Sequence, residues 1–275
     1  MHFDDGKRRW RFPFVLWVCH MQQRAIITGA SSGIGFAIAQ ELGRCGHELV
    51  CIGRDPKRLK KAVKQLRDLG FLADSHVGDL RLGKARKILI DDILGLGPVD
   101  VLVNNAGIGL NGKFADGSFR DHRDLWRLNT EAAMHLCHLL APHMIARGGG
   151  HMLNVASIAG FMPGPGMAGY FASKSALLSF SVSLREELME HHVSVSALCP
   201  GVTDTDFFAR AGCQERFAEA PGFAVSQPDF VARKALQGLM KNRAIITPGL
   251  VNKCATLATR LFPTVTLAGI MGRRA

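Results

Sequence analysis

The sequence predicts an α/β protein with a single doubly wound parallel sheet and helices on both faces. Short β-branched runs alternate with amphipathic helical patterns along most of the 275 residues, which requires right-handed crossovers and parallel strands. A glycine-rich turn, "TGASSGIG", follows the first of these runs. No period of about 20–50 residues recurs, so a solenoid is excluded.

The elements follow in order. "RAIIT" (24–28) is a first strand, and the helical pattern "FAIAQELGRCG" follows its glycine turn. "HELVCIG" (47–53) is a second strand, with Asp55 placed to cap the next helix and Pro56 at its first position. "FLADSHVGDL" contains a third strand, and "LGKARKILIDDILGLG" an amphipathic helix. "VDVLVNNAG" (99–107) is a continuous apolar strand ending in a polar turn. One long helix is predicted through "DLWRLNTEAAMHLCHLLAPHMIAR". "GGHMLNVASIAG" gives strand five, "AGYFASKSALLSFSVSLREELMEHH" a long helix, and "VSVSALCPG" strand six. "PDFVARKALQGLMKN" and "RAIITPG" supply a last helix and strand.

The chain divides into an N-terminal extension (1–23), an α/β domain (24–248), expected from the motifs set out below to bind a dinucleotide and carry the catalysis, and a basic, apolar C-terminal tail (249–275). The extension pairs a basic run with a short apolar stretch, Phe12 to Val18, interrupted by Pro13. That is too short to span a bilayer and lacks a small-residue cleavage site, so a cytoplasmic protein is expected.

Composition is that of a globular protein, 47% hydrophobic and 21% charged. Of the net charge of +11, three units fall in residues 1–24 and four in residues 250–275. No basic stripe interleaves with aromatics, which excludes nucleic acid as a partner. Seven scattered cysteines form no C-x-x-C pair, so neither a metal site nor a disulfide framework is expected. The basic tail suits weak contact with a membrane surface, cover for a neighbouring subunit, or fraying.

In such a sheet the loops at the carboxyl ends of the strands carry the chemistry. Gly29, Gly33 and Gly35 let the backbone approach a pyrophosphate at a helix N-terminus. With Ser31, Ser32 and Ile34 they form the first candidate site. At the end of strand two stand Gly53 and Arg54 rather than an acid. A guanidinium beside a bare glycine suits a 2′-phosphate, which favours NADP (NADPH) and leaves NAD as the alternative. Asp79, followed by Leu80, is placed to hydrogen-bond an adenine, and Asn105 borders the same cleft.

Ser157 ends strand five, and Tyr170, the only tyrosine in the chain, precedes Lys174 by one helical turn. A phenol and an ammonium at i and i+4 share a helix face. Together with "TGASSGIG", "NNAG", Asn129 and "PG" at 200–201, these residues resemble the short-chain dehydrogenase/reductase family, in the branch with Tyr-x-x-x-Lys, over about residues 24–248. The resemblance implies a Rossmann-like fold and hydride transfer between nicotinamide and a carbonyl or alcohol. Tyr170 would be the acid/base, with Ser157 holding the carbonyl oxygen. Lys174 would bind the nicotinamide ribose, Asn129 would orient a relay water, and Thr203 would meet the carboxamide. It also implies a homodimer or homotetramer. A free tyrosine titrates near pH ~10, so Lys174 and a cationic nicotinamide are expected to lower that value. "FMPGPGM" (161–167) and the stretch after strand six are rich in Phe and Met, which favours an apolar substrate. The second stretch reads as a lid. A non-catalytic nucleotide sensor or scaffold on the same fold is the alternative function.

Overall fold

The computed structural model describes residues 23–218 and 221–272; the basic–apolar N-terminal stretch lies outside them. Seven parallel strands form one sheet in the order β3-β2-β1-β4-β5-β6-β7. They are β1 (Arg24–Thr28), β2 (Glu48–Gly53), β3 (Ala73–Val77), β4 (Val101–Asn104), β5 (Gly150–Val155), β6 (Val193–Leu198) and β7 (Ile245–Ile246). The order reverses between β1 and β4, which opens a crevice at their carboxyl ends. Central strands covered on both faces must be apolar throughout: Ile26, Ile27, Leu102 and Val103 are fully buried.

Each face has its own core. On one, Ile27, Leu49 and Val103 pack with Ile38 and Leu42 of α1 (Gly33–Arg44), Leu59 and Leu66 of α2 (Pro56–Asp68), and, across a stretch of sequence, Val231 and Leu239 of a later helix, Pro228–Met240. On the other, Ile26, Ile52 and Leu102 pack with Ile90 and Ile93 of α3 (Gly83–Gly95) and with Leu136 and Leu140 of a helix spanning Ala132–Ala146. As the sequence indicates, Asp55 caps α2, accepting from the backbone N–H groups of Lys57 and Arg58, with Pro56 in the first turn.

The predicted long helix begins earlier and is not uniform. It consists of α4 (Phe119–Trp126), a π-helical turn (Arg127–Glu131) and α5 (Ala132–Ala146). Asn129 and Thr130 lie buried inside that turn. After α6 (Ala168–Leu188) and β6 come two short helices, α7 (Phe207–Arg210) and α8 (Gln214–Ala218), then α9 (Pro228–Met240). The tail folds as α10 (Leu250–Ala258), a 3₁₀ turn and α11 (Thr264–Gly272). Asn252 of α10 donates to Pro248 O at 2.7 Å. Its side chain also fills the space over Gly201, where a Cβ would lie only 2.2 Å from Asn252 Oδ1. The tail is thereby seated on the "PG" loop after β6.

Candidate active site

A cleft of about 560 Å³ runs along the carboxyl ends of the strands. At one end it is lined by Arg54, Asp79 and Leu80, in the middle by Gly29, Ser31, Ser32, Gly33, Ile34 and Asn105, and at the other end by Ser157, Tyr170, Lys174 and Thr203. Two predicted residues stand behind its wall, Gly35 and Asn129.

The first wall is a set of close approaches. Gly29 and Gly33 take the left-handed backbone, φ +67° and +57°, a conformation cheap only for glycine. A Cβ on Gly35 would lie 2.3 Å from Asn105 Nδ2 and 2.5 Å from Gly29 O. Asn105 therefore packs where a side chain would otherwise stand, and its amide donates to Thr28 O at 3.0 Å and Gly29 O at 3.2 Å. Thr28 ties the floor together. Its hydroxyl donates to Val103 O (3.2 Å) and accepts from the N–H groups of Asn105 (2.9 Å) and Ala106 (3.0 Å). A threonine ending a strand gives no such signal in sequence. Ser32, the N-cap of α1, makes no side-chain cap, and no acid stands in the first turn. The free N–H groups of that turn are left for an anion.

At the end of the cleft beside β2, Arg54 is exposed and Asp55 is committed to capping. Asp79 is clamped by Arg81, whose Nε and Nη2 lie 3.0 and 2.6 Å from it. Arg81 also bonds Asp124 of α4 at 2.7 Å. The Arg81 hydrogen bond holds the Asp79 carboxyl below the usual carboxylate range. Arg58 of α2 crosses the cleft to Asp206, at the N-terminus of α7, at 2.9 Å. Beside it, Thr205 lies over the glycine turn, 3.0 Å from where a Gly33 Cβ would be. Burial lowers the pKa of Arg210, at the end of α7, with Arg58 nearby adding to the effect. Arg54 precedes the cap of α2 and Arg58 lies in its first turn, but nothing in the sequence pairs either with residue 206.

At the opposite end of the cleft, Ser157 caps a short 3₁₀ turn (Ile158–Phe161), its hydroxyl accepting from Ala159 N at 3.1 Å. It also lies beside the Tyr170 phenol and acts to lower its pKa. Lys174 is buried, donates to Val155 O at 2.8 Å, and lies 5.8 Å from the Tyr170 ring centre. Burial pushes the phenol up to about 12, with Ser157 opposing, and pushes Lys174 down to about 8. The protein alone thus moves Tyr170 opposite to the expected direction. Desolvation outweighs Ser157, the group that opposes it.

Asn129 is held by reciprocal bonds: it accepts from Ile108 N at 2.8 Å and donates to Ile108 O at 2.9 Å and Ser173 Oγ at 3.1 Å. Ser173 in turn donates to Tyr170 O at 2.7 Å. Gly107 lies between the two polar groups. A Cβ there would sit 3.1 Å from Asn129 Oδ1 and 3.6 Å from Lys174 Nζ. The far wall is aromatic: Phe207 stands 5.4 Å from Tyr170 and Phe208 is edge-on to Phe207, while Met162, Met167, Phe171 and Met271 complete the lining. Met271 comes from the tail, which sequence periodicity could not bring to the cleft.

Among the described residues, no helix is long and apolar enough to cross a membrane, and no cluster of ligating side chains could hold a metal ion. The family model for short chain dehydrogenase matches residues 23–216. The ketoacyl reductase HetN of Nostoc sp. is 33% identical over 231 residues, 83% of this chain and 78% of that protein. A short-chain dehydrogenase from Sphingobium yanoikuyae solved with NADPH superposes with a TM-score of 0.78 at 30% identity, over 87% of this chain and 93% of the other. One from Burkholderia phymatum solved with NAD gives 0.79 at 27%, over 87% and 92%. A matching family model over most of the folded chain, a doubly wound sheet of the same kind and a glycine-lined cleft place this chain in the short-chain dehydrogenase/reductase family of oxidoreductases.

Proposed function

We propose that the protein is an NADP-preferring carbonyl reductase or alcohol dehydrogenase acting on an apolar substrate. The carrying observation is that Ser157, Tyr170 and Lys174 line the same cleft as the glycine turn. The residues fit a dinucleotide. Glycines occupy the positions where a Cβ would fill the cradle, and the α1 N-terminus is uncapped by any side chain. Gly29 through Ile34 would hold the pyrophosphate, Asn105 would border it, and Thr203 would meet the carboxamide. Asp79 and Leu80 would flank the adenine. Solved relatives carry NADPH in one case and NAD in another, so the preference for NADP rests on this chain's own arginines. Arg54 lines the cleft just after β2 with Arg58 close by, and Asp55, the acid next to it, is committed to capping α2.

Bound NADPH supplies the hydride. The chain's residues manage the oxygen and its proton. Ser157 donates to the substrate oxygen and sets it beside the phenol, where Tyr170 delivers the proton. With its pKa near 12 the phenol is fully protonated in the free protein, the form a reductase requires at the start. Lys174, held by Val155 O, places positive charge beside the phenolate that forms. Asn129 positions the Ile108 backbone and, through Ser173, the first turn of α6. Phe207, Phe208, Met162 and Met167 shape an apolar substrate end. NADPH titration followed by a carbonyl panel tests the reading. Oxidation of NADPH by apolar ketones is expected, and tight binding without turnover on any carbonyl would point instead to a nucleotide sensor.

A further inference from the structure

The helix α10 is built inside out. Its buried residues are Asn252 and Thr256, 6% and 9% exposed, whereas Leu250, Leu257 and Leu261 are 77%, 62% and 77% exposed. Positions 250, 254, 257 and 261 recur at i, i+4, i+7 and i+11 and so share one face; the fourth is exposed Cys254. Lys253 and Arg260 are exposed along one side of this stripe. Val265, at the start of α11, adds another apolar side chain that is 84% exposed. An apolar stripe turned outward costs solvation unless something covers it.

Charge selects the cover. After Asp229 the sequence has no acid, and it carries eight Lys and Arg residues. A second copy meeting this face across a two-fold axis would set like charges against each other. An anionic lipid surface instead takes the leucines into its headgroup boundary and pairs the cations with phosphates. Position agrees, because α11 runs from this face to the cleft. Its Met271 lines the substrate end, and Gly272 lies against Pro165, 3.5 Å from the position of a Cβ.

We propose that the outer face of α10 and the turn after it docks on an anionic bilayer surface, holding the substrate end of the cleft toward the lipid. That an apolar carbonyl then enters from the bilayer rests on the reductase reading; the docking itself does not. Flotation with vesicles of phosphatidylcholine alone, or of phosphatidylcholine with phosphatidylglycerol, tests it. The full chain is expected to float with the mixed vesicles and stay behind with the neutral ones, and high salt should release it. Leu257→Ser with Leu261→Ser should cut the bound fraction about tenfold, and Lys253→Ala with Arg260→Ala should do so severalfold. Both pairs lie at the surface, and unchanged circular dichroism and NADPH fluorescence would verify their folding. Failure to float with either vesicle overturns the proposal. So does an oligomer that the leucine pair splits in sedimentation velocity, since a second copy would then be the cover. Vesicle binding by a protein that reduces no carbonyl would sink the reductase reading and leave the docking standing.

Discussion

The two walls of the cleft are made differently. The glycine wall is a lattice of backbone contacts in which Gly35, Asn105, Thr28 and Gly29 each occupy space the others need. The opposite wall is a cluster in which Phe207 and Phe208, on the short helix α7, pack against Met167, Tyr170 and Phe171 at the start of α6. Backbone contacts admit one geometry, which suits a cofactor that never varies. Packed rings can slide and reorient, which suits a substrate that must enter and leave. The two walls should therefore answer to mutation in different quantities.

Tyr170→Phe should lower kcat the most, by about a hundred- to ten-thousand-fold. Isothermal titration should show NADPH affinity nearly unchanged. Gly35→Ala tests the rigid wall. Its Cβ has no room beside Asn105, so urea unfolding should report a loss of about 1–3 kcal/mol and NADPH should bind more weakly. Phe207→Ala on the other wall should raise KM for bulky ketones several-fold and leave the cofactor constant alone. Equal effects of the two substitutions on NADPH affinity would erase the distinction.

The buried pair gives a pH signature. Lys174 is depressed to about 8 from an ordinary ~10.4, so between these values the unfolded chain binds more protons than the native one. Stability should rise with pH across that window, by up to about 3 kcal/mol. Tyr170, raised to about 12 from an ordinary ~10, works in reverse: stability should fall as pH climbs from about 10 to 12. Denaturation of Lys174→Met across pH 8 to 10, roughly the titration range of a lysine, should lack the rise.

Two smaller effects concern the arginines. Arg54→Ala should weaken NADPH about tenfold, the worth of one charge-assisted contact, and leave NADH within about twofold; equal losses would remove Arg54 from the 2′-phosphate. Asp206→Asn, which opens the exposed ion pair to Arg58, should speed NADPH release only a few-fold in stopped flow, most visibly at low salt.

The alternating pattern made the sheet, its parallel sense and its helical cover legible, because each strand and helix carries its own period. The glycine turn and the Tyr-x-x-x-Lys spacing are legible for the same reason: their partners lie close in sequence. What stayed hidden joins distant positions. Arg58 meets Asp206, Thr28 gathers β4, and Met271 returns to the cleft; none of these follows from local periodicity. The direction of the Tyr170 shift was hidden too, because spacing places a lysine beside a phenol without saying that both lose their water. The π-turn escaped notice because it has the composition of an α-helix.

That turn has a further consequence. Each residue advances an α-helix by about 100°, and a π-turn fits one more residue into the same length of rod. The face that α4 buries, with His122 and Leu125, is thereby out of phase with the face that α5 buries, with Ala133, Leu136 and Leu140. One continuous rod carries two independent orientations, one set by α6 and the other by the sheet. Asn129 sits at the phase change. Deleting a single residue there would leave a better helix with its two halves wrongly turned.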